Sequence, residues 1–476
     1  MPSAENDPES TSANDASAAP GFARELARRS SAVRWSDLPA EAVHWARVGL
    51  LDMLGVTLAG SGEAAPRIAT QALDLAPGPA LVLGRTQRIG ALDAALINGT
   101  ASHALDFDDC NNTMGGHPSV PVLSALLALA DERAANGRDF VTAYVTGFEV
   151  ECKVALAVNF HHYQKGWHPT ATLGVFGAAA ACAQLMGLDE QRTATALALA
   201  ASFASGLKAN FGTMAKPLHV GHCARSGLLA ARLAAKGFTA NARNVFEHEQ
   251  GFLDVFNGPG TYDTERALAA WAAPLDIVSP GIAIKQYPCC GSTHPAIDAM
   301  LDLVRQHRYA PHDIERIDAW IHPRRLKHTD RPRPGTALDA KFSLQYVLAR
   351  CVTDGHVSVD QFEGTAHADP RVQALLPRVA VAGYDERRFD AANHFGGAVR
   401  VTLKDGRVHE AAVEQPLGRT SAHPLPQPLL EAKFALCAGA VLQPEAVGSV
   451  AGLVARLEGI EDMRRLTREL ARVSSR

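Results

Sequence analysis

The 476-residue sequence has no uninterrupted apolar run of the length that a membrane-spanning helix requires. Its longest apolar stretches, such as Val175–Met186, suit buried helices. A positively charged leader followed by an apolar segment is also missing, which excludes a signal peptide. The net charge of −4 provides no basic field, so general nucleic-acid or membrane-surface binding is not expected. Eight cysteines contain no C-x-x-C pair, and neither H-E-x-x-H nor a calcium-loop glycine pattern occurs. These absences point to reduced thiols in a soluble, cytoplasmic protein with no resident zinc or calcium. No repeat of fixed period is present, which argues against a solenoid.

What is present divides the chain into four parts. Residues 1–20, rich in Ser, Ala, Asp, Glu and Asn, read as a disordered tail. Residues 21–275 are almost wholly helical in pattern. Ala- and Leu-rich segments at Ala40–Ala59, Ala91–Asp109, Ser119–Asn136, Thr170–Met186, Glu190–Leu207 and Val220–Lys236 are broken at Gly, Pro or Asn. Residues 276–417 change texture. Ile314–His322 and Ala398–Leu403 alternate apolar and polar residues, and Lys404-Asp405-Gly406 turns the chain into Val408–Val413. Helical stretches at His294–Gln306 and Asp339–Cys351 lie among these strands. Helical texture returns over residues 418–476, a segment expected to pack back on the first domain. The fold class is therefore mainly α, a large all-helical domain carrying a smaller α+β lid domain, with a cleft between them.

Three junctions share one design: His117-Pro118, His168-Pro169 and Lys216-Pro217 each set a proton-carrying side chain before a proline near a helix start. Proline suits the first helical turn and keeps the preceding residue extended. A helix N-terminus favours anions and lowers the pKa of a nearby His or Lys. If the three converge, they form a carboxylate-binding, proton-shuttling pocket. Local charge supports this, because no Asp or Glu falls between Thr193 and Lys236 while Lys208, Lys216, Arg225 and Arg232 do. In HALDFDDC, helical spacing would put Asp106 and Asp109 on one face with His103 a turn earlier, a carboxylate placed to orient a histidine. The same cluster is the alternative reading as a hard-metal site. Cys290 and His294 could form a thiol–base pair, although a buried structural cysteine is the commoner case.

The segments HALDFDDCNNTMGGHPS, GWHPTATLGVFGAAAA, NFGTMAKPLHVGHCARSG, KQYPCCGSTHPA and KFSLQYVLA together resemble the MmgE/PrpD family. Its members include 2-methylcitrate dehydratase, cis-aconitate decarboxylase and iminodisuccinate epimerase. The resemblance runs from about Phe22 to the C-terminal region. It implies a helical domain with an α+β lid, an active site between them, a homodimer, a small di- or tricarboxylic acid substrate, and no metal or organic cofactor. By resemblance Asp106, His117, His168, Lys216 and Tyr346 are catalytic positions, and Tyr163 matches a tyrosine of the epimerase-like branch. Lys285, with Lys208, His294 and Cys110, is expected on the substrate-binding side. Cys110 and Cys290 stand where a decarboxylase-like member carries Thr and His, which places decarboxylation below dehydration and epimerisation. The expected activity is thus a lyase or isomerase forming an enolate-like intermediate. An iminodisuccinate-type epimerase is the alternative, and a carboxylate-binding protein without turnover is the alternative of another class.

Overall fold

A computed structural model describes residues 20–390 and 392–474. The tail expected over residues 1–20 lies outside them, except for Pro20. Among the described residues no helix is long and apolar enough to cross a membrane.

The first domain is a bundle of Ala-rich helices, chiefly Ala40–Gly60, Ala91–His103, Ser119–Arg133, Gly137–Val158, Gly174–Leu185 and Ala215–Ala235. Several are apolar all round, and they are buried on nearly every side. Small residues set how closely they approach. A Cβ on Gly221 would sit 2.1 Å from the Leu96 carbonyl oxygen and 2.3 Å from Thr100 Oγ1, so only glycine lets Ala215–Ala235 lie against Ala91–His103. Gly221→Ala is expected to destabilise by about 1–3 kcal/mol. The loss would appear as a lower thermal midpoint with turnover falling alongside, because the same helix carries Lys216. An unchanged midpoint would show that the helices can separate there at no cost.

The all-helical expectation misses one feature, a small antiparallel pair of strands, Pro77–Leu81 with Arg88–Ile89. Its proline- and glycine-bearing strand (PGPAL) has no alternating pattern to reveal it. A second difference matters more. The helix expected to continue to Asp109 ends at His103, and residues 104–118 form a loop. Asp106 takes a positive φ of 53°, which helical propagation forbids and which Asp tolerates better than most residues.

The second domain is built on a four-stranded sheet ordered Val379–Gly383, Ile314–Ile321, Gly397–Leu403, Val408–Val413. Ile314–Ile321 pairs in parallel with Val379–Gly383 and antiparallel with Gly397–Leu403. The parallel edge strand was not among the sequence expectations; Val379–Gly383 is five residues of mostly small side chains. Helices His294–His307 and Leu344–Asp354 pack on this sheet around a core of their own, including Ile297, Leu303, Ile317, Val347 and Val399. The C-terminal helices Gln427–Gly439, Pro444–Val454 and Arg464–Leu470 send Leu430, Phe434, Leu453 and Leu466 into the core of the first domain.

Candidate active site

The 104–118 loop is held by charge. Lys341 Nζ donates to the Leu105 carbonyl (2.7 Å), Lys285 Nζ to that of Asp106 (2.6 Å) and Lys433 Nζ to that of Phe107 (2.8 Å). Three buried ammonium groups thus grip three successive carbonyls. The side chains are paired as well. Asp106 Oδ1 accepts from Lys216 Nζ at 2.6 Å and lies 3.2 Å from Lys285 Nζ. Burial alone would raise the Asp106 pKa, but the two lysines outweigh it and keep the carboxyl well below the ordinary range. Lys433 also reaches buried Asp52 at 2.6 Å.

Asp108, rather than Asp106, orients the histidines. Its Oδ2 lies 2.7 Å from His103 Nδ1 and 3.0 Å from His117 Nδ1, whereas His117 Nε2 is 3.8 Å from Asp106. Burial lowers the pKa of both imidazoles. In His103 it prevails, at about 3, while in His117 the Asp108 carboxylate prevails and lifts it to about 10. His117 is therefore held charged at neutral pH, which suits the acid of the general base or acid roles open to it. Asp109, expected to share a face with Asp106, turns the other way and accepts from the Ser119 hydroxyl, which also meets Tyr144.

The three proline junctions converge. His117, His168 and Lys216 line one cavity of about 350 Å³, with Asp106, Cys110, Tyr163 and Lys285. Their local geometry is not uniform. His168 caps the short Pro169–Thr172 helix in an extended conformation, but Lys216 is already inside Ala215–Ala235 and projects from a helical residue. His168, 2% exposed, is held neutral by burial with His103 and Lys216 nearby, and its Nε2 has no hydrogen-bond partner.

Three expected residues lie elsewhere. Lys208 stands behind Tyr163, its Nζ 3.3 Å from the ring centroid and donating to the Tyr163 carbonyl. His294 is buried at the start of its helix, with Nε2 3.4 Å from the Cys289 carbonyl. Tyr346 belongs to the second-domain core, donating its hydroxyl to the Gln361 carbonyl and accepting from Arg350 Nε at 2.9 Å. A tyrosine on a helix is set by the face it occupies, and this one faces the Val359–Phe362 turn, with the Phe362 ring centroid 5.7 Å from its own.

The opposite wall comes from the second domain and was missed. Arg324, Arg325, His328, His394 and Arg419 line the cavity beside Cys290. The Arg324 guanidinium lies 4.8 Å from the centroid of the first-domain Phe160 ring. Arg325 Nε donates to the His394 carbonyl at 2.7 Å. Burial, reinforced by Arg419 and Arg324, lowers the Arg325 pKa to about 9. Among the described residues no carboxylate pairs with Arg324, Arg325 or Arg419. A signal did exist, since His322-Pro323 opens the Pro323–Thr329 helix in the manner of the other His-Pro junctions. Arg419 carries no local signature.

Ligand atoms of His103, Asp106, Asp108 and His117 lie within 4.8 Å of one another, a set that could hold a metal ion. Asp106 already carries two ammonium groups and Asp108 two imidazoles, so a metal ion would have to displace bound cations.

A helical platform and a basic second domain enclose one cavity of about 350 Å³ between them. The chain belongs to the MmgE/PrpD family: the MmgE/PrpD N-terminal domain matches residues 24–265 and the MmgE/PrpD C-terminal domain residues 287–458. It is 32% identical over 455 residues to cis-aconitate decarboxylase of Homo sapiens, covering 90% of this chain and 92% of the relative. It is 28% identical over 478 residues to cis-aconitate decarboxylase of Aspergillus terreus, covering 94% and 96%. To 2-methylcitrate dehydratase of Cupriavidus necator it is 27% identical over 386 residues, covering 76% and 78%.

Proposed function

We propose that the protein is a lyase acting on a small tri- or dicarboxylic acid, through negative charge developed on a carbon beside a carboxylate. The observation that carries this reading is the asymmetry of the cavity. The first-domain wall is internally neutralised, whereas the second-domain wall presents Arg324, Arg325 and Arg419 with no carboxylate among the described residues to answer them. An anion with two or three carboxylates completes that wall, by paired guanidinium hydrogen bonds. This directs the rest of the substrate towards His117, His168, Lys216 and Lys285.

In this reading Lys216 and Lys285 stabilise the enolate-like charge, in a site dry enough for the interaction to be strong. His117, held protonated by Asp108, is the acid that meets the leaving group or the carbanion. His168 and Tyr163 stay neutral and position the substrate by hydrogen bonds; burial lifts the Tyr163 phenol to about 12. Dehydration and decarboxylation both build negative charge on a carbon beside a carboxylate, the first by loss of a proton before hydroxide departs, the second by loss of CO₂ before the carbon is protonated. Cys110 and Cys290 weigh against decarboxylation, whereas the similarity to relatives named cis-aconitate decarboxylase supports keeping it beside dehydration.

The test is NMR in D₂O with citrate, 2-methylcitrate, cis-aconitate, iminodisuccinate and tartrate. A new alkene marks dehydration, release of CO₂ marks decarboxylation, and deuterium uptake without conversion marks epimerisation. Binding with neither turnover nor exchange would instead make the chain a carboxylate-binding protein.

A further inference from the structure

Two thiols face the cavity, one from each domain, and each has an imidazole beside it. Cys110 is anchored by paired backbone hydrogen bonds with Ala283, and its Sγ lies 3.8 Å from His117 Nδ1. Cys290 is fixed by its N–H, which donates to the Lys341 carbonyl, and by its carbonyl, which accepts from the Thr293 hydroxyl. His328 stands next to Cys290, its Nε2 3.1 Å from Ser292 Oγ. These two are the half-buried cysteines of the chain; the other six are buried. The same cavity holds the partnerless Nε2 of His168, a buried polar atom that a ligand would serve.

Resting on the lyase reading above, we propose that Cys290 is the base that removes the proton from the substrate carbon, with Cys110 and His117 as the acid side of the site. The C–H bond breaks, its electron pair enters the carboxylate-conjugated enolate, and the proton ends on the Cys290 sulfur. The proton on the acid side passes from His117 to the departing oxygen or to the carbon, and Cys110 buffers that imidazole. No oxidant, reductant or further reactant is needed. This arrangement gives the reaction a proton carrier on each domain, which the first-domain histidines alone do not provide, since His117 is already protonated, His103 is sealed against Asp108, and burial beside His103 and Lys216 makes His168 a weak base.

The surroundings favour a thiolate. Burial pushes the Cys290 thiol up, but His328 outweighs it and brings the pKa to about 6; Asp106 opposes and Lys285 assists. Tyr163, Arg325 and Arg419 also face this sulfur. Burial likewise raises Cys110, and His117 and Lys285 return it to about 7.

The experiment compares wild type with Cys290→Ser on the acid that the wild type turns over. The expected result is a fall in kcat of roughly 10²–10³-fold with KM little changed, and loss of the acidic limb of the pH profile. Thermal melting confirms that the variant folds. In parallel, wild-type enzyme is treated with iodoacetamide and the modified cysteines are located by peptide mass spectrometry. Cys290 should alkylate first, in step with loss of activity, and citrate should protect it. Turnover of Cys290→Ser within about threefold of wild type, or full activity after Cys290 is alkylated, overturns the thiol proposal alone. Wild-type protein with neither turnover nor proton exchange on any of the acids overturns it together with the lyase reading.

Discussion

Replacing Lys216 by alanine is expected to lower kcat by about 10²–10³-fold, the scale seen when one donor to a developing anion is removed. Lys216 Nζ is held at 2.6 Å from Asp106 on the cavity wall, in a position prepared before substrate arrives. The variant should still fold. Breaking a buried ion pair usually costs several kcal/mol because it strands the other charge. Here Asp106 keeps Lys285 at 3.2 Å, so the stranded charge is answered. Steady-state kinetics with a melting curve decides the matter. Turnover close to wild type would remove Lys216 from the machinery. A large activity loss accompanied by an equally large collapse of stability would make it structural.

The second large effect is expected from Asp108→Asn. With the carboxylate gone, burial and Lys285 act on His117 against only the weaker pull of Cys110, and its pKa should fall by about 1–3 units. If the imidazolium is the acid, it stays charged in wild type until about pH 10, and the variant loses the alkaline limb of kcat correspondingly earlier. The same link reaches stability. A histidine whose pKa is raised by folding contributes stability that is complete below about 6.5 and is lost as pH rises through about 10. Wild type should therefore lose thermal stability across that window, and Asp108→Asn should lose less of it. Superimposable pH–rate profiles for the two proteins would exclude His117 as the acid.

Much of the fold was legible because helices written in Ala and Leu announce themselves by composition. The strands Ile314–Ile321 and Gly397–Leu403 likewise carry the apolar–polar alternation legible at Ile314–His322 and Ala398–Leu403. The site was legible where chemistry sits at a punctuation mark. His117 and His168 stand before prolines at helix entrances, Lys216 stands before one just inside its helix, and all three meet. What escaped was long-range. Asp108 outcompetes Asp106 for His117 because the helix ends early at His103, and helical spacing then no longer decides which carboxylate faces which ring. Arg324, Arg325 and Arg419 reach the cavity only because the second domain folds over it. Tyr346 shows the reverse: a motif fixes a residue's place in the chain, while the helix face it occupies sends it into the second-domain core, away from the cavity.

The lysine grip on the 104–118 loop bears on the order of events at the ribosome. The three carbonyls are bound by ammonium groups 179, 236 and 326 residues further along the chain. At about 5–20 residues per second, the last of these emerges roughly 16–65 s after the loop it secures. Until then buried-to-be Asp52 lacks its lysine, although Asp106 already has Lys216 and Asp108 has His117 from the same domain. The helices can pack early, but the reactive loop is fully gripped only once Lys433 has emerged.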